Sequence, residues 1–167
     1  MSEPAVQLRP TRTADLDFVM ALEHHPDQAG FIGQWTRDEH VAALARPDRE
    51  HWIIERASDG VPLGYLIAYD VRAAGYGVYI KRIAVTEKSR GVGRLALQAF
   101  IDHAVRDLRA DLVCLAVRDE NLRAQRAYAA VGFIEWALTA AERGAFLDTV
   151  DRFFDNCFVM RVEGVTS

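Results

Sequence analysis

Two rhythms of apolar residues alternate along this chain. Leu16, Val19 and Met20, with Glu23 following at the same spacing, recur at helical intervals after Thr13 and Asp15, which read as a helix start. His24-His25-Pro26 ends that helix, because proline disfavours α geometry in the residue before it. Residues 26–35 read as an irregular loop holding Gly30 and Gly33. Thr36, with Glu39 three residues on, has the form of a capping box and opens a helix running to about Ala45. Short apolar runs bounded by turn residues read as strands at 6–9, 51–56 and 63–69, the last two joined through Ser58-Asp59-Gly60. Beyond a loop at 73–77, the pattern predicts a strand at 78–85, a helix at 91–108, a strand at 112–117 and a helix at 121–131. Strands at 133–138 and 157–162, joined by a long loop through Gly144, complete the set. The order β-α-α-β-β-β-α-β-α-β-β predicts an α/β fold with one central mixed sheet of six to seven strands and four flanking helices.

Composition narrows the picture. All 167 residues read as a single domain large enough for a core, half of them hydrophobic and 26% charged. The net charge of −4, with no basic tract, argues against nucleic acid and favours a small cationic amine as partner. No apolar run is long enough to cross a membrane, and the N-terminus lacks the apolar core of a secretory signal. Cys114 and Cys157 fall in predicted strands without metal-binding spacing, and read as buried thiols of a cytoplasmic protein.

The chemistry concentrates where the 78–85 strand empties into a glycine turn that opens a long helix. Gly91 and Gly93 allow positive φ and close backbone approach, and the helix start leaves its first N–H groups unpaired at the positive end of the dipole. With Lys88, Arg90 and Arg94 around it, this is an anion site suited to a pyrophosphate. Residues 91–96 also satisfy a dinucleotide fingerprint. Against it, five residues separate Val85 from Gly91, three antiparallel-looking strands precede it, and no acidic residue ends the next strand. A Gly-Lys-Ser/Thr phosphate loop is absent.

A second segment, Asn121-Leu-Arg-Ala-Gln-Arg-Ala-Tyr-Ala-Ala-Val-Gly-Phe133, follows the strand at 112–117. The pair of segments, over roughly residues 77–138, resembles the GNAT superfamily of acyl-CoA-dependent N-acetyltransferases. Its pyrophosphate motif Gln/Arg-x-x-Gly-x-Gly/Ala falls on Lys88-Ser89-Arg90-Gly91-Val92-Gly93, with Lys in the first position. The resemblance implies acetyl-CoA as co-substrate and no metal. The pantetheine arm would hydrogen-bond the backbone of Ile83, Ala84 and Val85 like an added strand. Gly91, Val92, Gly93 and Arg94 would hold phosphate with Lys88, Ser89 and Arg90, and Ala124 would lie against the coenzyme. Asn121 would contact pantetheine or cap its helix. Arg123 and Arg126 are either 3′-phosphate ligands or a solvated helix face. The implied reaction is acetyl transfer to a primary amine of an unidentified acceptor, by direct attack in a ternary complex. A peptide or protein N-terminal amine and a non-catalytic acyl-CoA-binding regulator are the alternatives; a small-molecule amine or peptide is the expected partner, and a homodimer is left open.

Tyr128 matches the family's tyrosine and would protonate the leaving thiolate, with packing before Gly132-Phe133 as its other reading. The general base is open among Glu23, His24, His25 and water. Family members that acetylate ribosomal-protein N-termini carry Leu-Glu-Val on the strand where this chain has Leu115-Ala116-Val117. Phe31 and Trp35 are candidates for the acceptor pocket or, equally, for core packing, while His40, His51 and His103 fit element surfaces and are given no role.

Overall fold

β1 (Val6–Pro10), β2 (Arg49–Arg56), β3 (Pro62–Tyr69) and β4 (Val78–Val85) form an antiparallel run, each paired with the next. β4 then lies parallel to β5 (Leu112–Arg118), and β7 (Cys157–Glu163) inserts antiparallel between β5 and the two-residue β6 (Ile134–Glu135). The result is one seven-stranded mixed sheet in the order β1-β2-β3-β4-β5-β7-β6. This computed structural model describes residues 5–29, 33–69, 71, 77–88, 90–142 and 157–163; the expected loop at 73–76 and most of the loop through Gly144 lie outside them.

Helices cover both faces. On one, α4 (Val92–Arg106) lays Leu97, Phe100, Ile101 and Ala104 on Val78, Ile80, Val113 and Leu115, and α5 (Leu122–Ala130) adds Ala124 and Tyr128. Fully buried side chains such as Phe100 and Leu97 each contribute about 1.5–3 kcal/mol. On the other face, α1 (Leu16–His24) packs Val19 and Leu22 against Ile53, Tyr65, Ile67 and Tyr79. α3 (Arg37–Leu44) begins at Thr36, whose hydroxyl accepts from the Glu39 N–H while the Glu39 carboxylate accepts from the Thr36 N–H, as the sequence predicts. No described helix is long and apolar enough to cross a membrane.

The structure departs from the pattern in three places. A short helix, α2 (Pro26–Ala29), occupies the start of the expected irregular loop, with proline at its first position, where a missing N–H costs nothing. α4 starts at Val92, because Gly91 has φ 76° and serves as its cap. The expected strand at 133–138 pairs only over Ile134–Glu135; Trp136 and Leu138 turn instead onto the α1-side cluster.

Two irregularities in β4 set up everything functional. Its pairing with β5 covers only Val78–Ile80 against Val113–Leu115; beyond these, the strands share no further pair. On the β3 side, Ile67 faces Arg82 but Ala68 faces Ile80, so Lys81 is an extra residue in a β-bulge. A bulge reverses the side-chain alternation that follows it. Val78 and Ile80 face α4, and so do Ile83 and Val85, while Arg82 and Ala84 join Tyr79 on the α1 face. Arg82 thereby meets Glu23 of α1, Nη1 to Oε1 2.6 Å.

Deletion of Lys81 should remove the bulge and place Arg82 directly after Ile80, still on the α1 face and still paired with Glu23. Arg82→Met should instead leave Glu23 buried without its cation and cost about 3–5 kcal/mol in urea unfolding, the range for breaking a buried pair. A deletion variant as unstable as Arg82→Met would show that Lys81 is not the extra residue of the bulge.

Candidate functional site

Where β4 and β5 part, a cavity of about 1020 Å³ opens between the helical layers. The strand ends supply Ile83, Ala84 and Val85 on one side and Ala116 and Val117 on the other. The turn after β4 brings Gly91, Val92, Gly93 and Arg94 to the same wall. Gly91 needs its positive φ; Gly93 is already helical, and an added Cβ would find its nearest contact, Val85 Cγ1, 4.0 Å away. Gly93 therefore serves to keep the wall open rather than to make the turn. Gly91 offers no side-chain cap, and Leu95 is the first residue whose N–H returns to the Gly91 carbonyl. The N–H groups of Val92, Gly93 and Arg94 are left at the positive end of a fifteen-residue helix.

α5 forms the opposite wall through Asn121, Ala124 and Tyr128, with Arg123 and Arg126 beside them. Asn121 caps its own helix, Oδ1 accepting from the Ala124 N–H at 3.3 Å, and still reaches the cavity. Tyr128 is half-buried against Phe133, ring centroids 5.8 Å apart, and its hydroxyl bonds no described residue. Burial pushes its phenol up to about 12.

The sequence-derived residues thus converge on the cavity, with one exception among the described ones. Arg90 does not line the cavity; its exposed side chain lies 3.7 Å from Glu87. The Val85 carbonyl is already engaged, accepting from Gln28 Nε2 at 2.9 Å, while Lys88 Nζ donates to the Asp27 carbonyl. α2 is thereby fastened to the turn after β4 by two hydrogen bonds. Ser89 and Phe31 lie outside the described residues.

None of the three side chains considered as general base lines this cavity. His24 and His25 are exposed. Glu23 is completely buried and its carboxylate is crowded: Oε1 accepts from Arg82 and from the Tyr65 hydroxyl at 2.8 Å, and Oε2 accepts from the Trp35 N–H at 3.2 Å. His40 Nε2 stands 3.0 Å from Oε1 but off the hydrogen-bond direction. Burial alone would raise the Glu23 pKa; the His40 nitrogen, the Arg82 charge and the Tyr65 hydroxyl outweigh it and hold the group below the usual carboxylate range. Such a carboxylate is a poor base.

The network behind Arg82 was not foreseen. His40 Nδ1 meets His51 Nε2 at 3.1 Å, and His51 Nδ1 meets the Thr11 hydroxyl at 2.8 Å. Burial, reinforced by His40, lowers His51 to about 3, so it is neutral at any working pH. One tautomer set serves the chain: the Thr11 hydroxyl donates to His51 and His51 to His40, which leaves the His40 Nε2–H close to Glu23 but without a hydrogen bond to a described residue. The far end of this chain is Arg82, which lines the cavity, lies over Trp35 at 4.9 Å and crowds Gly33, where a Cβ would sit 2.7 Å from Nη2. The sequence carried one signal of it: two adjacent cations, Lys81 and Arg82, interrupt an apolar strand, one turned inward needs a buried anion, and Glu23 lies on the apolar face of α1.

A family model described as the acetyltransferase (GNAT) family matches residues 13–133. No curated protein matches the sequence. Among solved structures, a spermidine N-acetyltransferase from Vibrio cholerae, in complex with CoA and spermine, superposes with a TM-score of 0.75 over 95% of each chain at 17% identity. A domain from Methanocaldococcus jannaschii does so with a TM-score of 0.72 at 15% identity, over 96% of this chain and 99% of that one. At these identities the likeness shows the fold.

His51 ties the buried network to pH. Its folded value of about 3 lies below the unfolded value of 6.5, so the unfolded chain binds the extra proton between them. Stability should therefore rise with pH across that window, by at most about 1.4 kcal/mol per pH unit. Between pH 5.5 and 6.5 the depressed carboxylates, whose unfolded values are 3.8 and 4.5, have little left to titrate in either state, and the slope belongs mainly to His51. Urea midpoints measured over this range should flatten in His51→Gln; an equal slope in the variant would assign it elsewhere.

Proposed function

The chain belongs to the acetyltransferase (GNAT) family, and we propose that it transfers an acetyl group from acetyl-CoA to the primary amine of a small acceptor, by direct attack in a ternary complex. The observation that carries this reading is the cavity running through the gap between β4 and β5, with free helix N–H groups at one end and an aromatic and polar mouth at the other. The lining fits coenzyme A. The N–H groups of Val92, Gly93 and Arg94, with Lys88, suit a pyrophosphate. Arg123 and Arg126 suit the remaining phosphate, and the unpaired edge at Ile83 and Ala84 suits an extended amide-bearing arm. With its carbonyl bound to Gln28, Val85 contributes to the arm through its N–H or its side chain alone.

The chemistry needs no covalent intermediate. The amine lone pair attacks the thioester carbon, a C–N bond forms, and the C–S bond breaks as the tetrahedral species collapses. Holding both reactants in one cavity can supply as much as about 7–11 kcal/mol of the barrier. The departing thiolate takes a proton from Tyr128. A phenol near 12 stays fully protonated at any working pH, and its hydrogen bond strengthens only as charge develops on sulfur. The other proton leaves the amine. Lys81 and Arg82 line the cavity, and nearby cations disfavour an ammonium, so the bound amine loses its proton to solvent at a lower pH than it does free.

Two measurements test this reading. Coenzyme A or acetyl-CoA should raise the melting temperature, and NAD and ATP should not; at 100 times the dissociation constant the gain is about 2.7 kcal/mol. Incubation of acetyl-CoA with an amine panel should release free thiol in an amine-dependent manner, whereas a binding-only protein would shift its melting temperature without releasing thiol. Tyr128→Phe should lower kcat by about 10²–10⁴-fold with little change in acetyl-CoA affinity. Because the phenol titrates near 12, the wild-type rate should show no downturn from Tyr128 between pH 7 and 10. An unchanged kcat in the variant at saturating amine would return Tyr128 to packing.

A further inference from the structure

Basic side chains outnumber acidic ones by seven to two among the described residues lining the cavity, although the whole chain carries a net charge of −4. Four of the seven, Lys88, Arg94, Arg123 and Arg126, belong to the wall made by the turn after β4 and the two helices beyond it. The other three, Lys81, Arg82 and Arg118, belong to the opposite face of the sheet. Arg82 is turned to that face by the bulge, and Lys81 lies over the Tyr69 ring at 5.8 Å. Arg118 follows Cys114 and Ala116 at strand period, and both of these pack in the α1-side cluster. The acid on that side, Glu39, is bound through Oε2 to the Thr36 N–H in its own capping box. The other acid, Glu87, follows β4 on the phosphate side, near Arg90.

From this distribution we infer that the acceptor is an amine that also bears a carboxylate, received by Arg82 and Lys81 beneath Trp35, and that it is not a polycation. This rests on the amine-acetylation reading above and names its substrate class. Arg82 is suited to the task. Glu23 holds one of its nitrogens, the Thr11–His51–His40 chain lies behind Glu23, and Trp35 covers the guanidinium, so little side-chain freedom is lost when a ligand arrives. Glu23 offsets the charge of Arg82, whose side chain is 3% exposed where it lines the cavity, while Lys81 supplies a second cation. A carboxylate meeting both makes charge-assisted hydrogen bonds, whereas a polyamine brings further positive charge to the same wall. Trp35 and Tyr79 offer ring surface beside these cations for an apolar or aromatic part of the acceptor.

The experiment pairs each α-amino acid with its own α-amide, adds spermidine, and reads thiol release from acetyl-CoA by the purified protein. The best amino acid should exceed its amide by about 10- to 100-fold in kcat/KM, the worth of one or two charged hydrogen bonds. The amide's less basic amine gives it more free base at neutral pH, so the comparison is biased against the expected result. Lys81→Gln should shrink that ratio, mainly through KM. The paired change Glu23→Gln with Arg82→Gln, which leaves no buried charge unmatched, should bring the ratio close to one; should that variant fail to fold, Lys81→Gln carries the test. An amide or spermidine turned over as well as the best amino acid overturns the inference and leaves amine acetylation standing. Coenzyme A binding without turnover of any amine overturns the amine-acetylation reading and this inference with it. Absence of a coenzyme A shift overturns the assignment of the phosphate wall itself.

Discussion

β4 and β5 are parallel neighbours that hydrogen-bond over three residue pairs and then separate, and the site depends on that separation. A parallel pair continued to its end would close the gap and satisfy both edges. Instead the backbone of β4 beyond Ile80 is held by β3 on one side and left open on the other. An edge inside a sheet is normally a liability, being a row of unmatched donors and acceptors. Here it is walled by α4 and α5, and a cavity of about 1020 Å³ passes through it. The helix N-terminus at Val92 borders that space because the turn leaves β4 at Val85, at the far end of the stretch that β5 leaves unpaired.

The bulge at Lys81 is the second half of the same device. One extra residue changes which face receives Arg82, and so couples the gap to a buried ionic network. Desolvating Arg82 and Glu23 is expensive, and an apolar pair of equal volume would often be as stable. The cost is met by convergence: Arg82, Tyr65 and the Trp35 N–H all donate to one carboxylate, with the His40 nitrogen close by. What this secures is position. The segment carrying Gly33 and Trp35 is tied to Glu23 through its backbone and to Arg82 through its ring, so this wall of the cavity is ordered by the same ion pair that spans the sheet and α1.

The two faces of the gap consequently differ in what they ask of a ligand. The α4–α5 side offers backbone N–H groups and mobile cations, a combination that suits phosphate. The α1–α3 side offers fixed cations against aromatic rings. A net charge of −4 hides this segregation, because the acidic excess lies elsewhere on the molecule. Net charge speaks to solubility and encounter; the field inside a cavity follows from the few side chains that line it.

Local signals carried much of the molecule. The capping box at Thr36 and Glu39, the glycine cap before α4 and the alternation of strands depend on residues within a few positions of one another, so their physics is written in the sequence. The residues lining the α4–α5 wall of the cavity were legible for the same reason: Gly91 to Arg94 and Asn121 to Tyr128 are two contiguous segments, each positioned by the start of its own helix. Tertiary structure alone decided the charged network on the α1 side. The face of Arg82 depends on a register shift against β3, which no strand period reveals. Glu23 reads as a possible base until β3, β4 and the segment before α3 bring their donors onto it and bury it. His40 and His51 belong to different elements and read as surface residues one at a time; they become a chain only when α3 lies against β2. Proximity between residues far apart in sequence is made by packing, and the chemistry that depends on it is decided there.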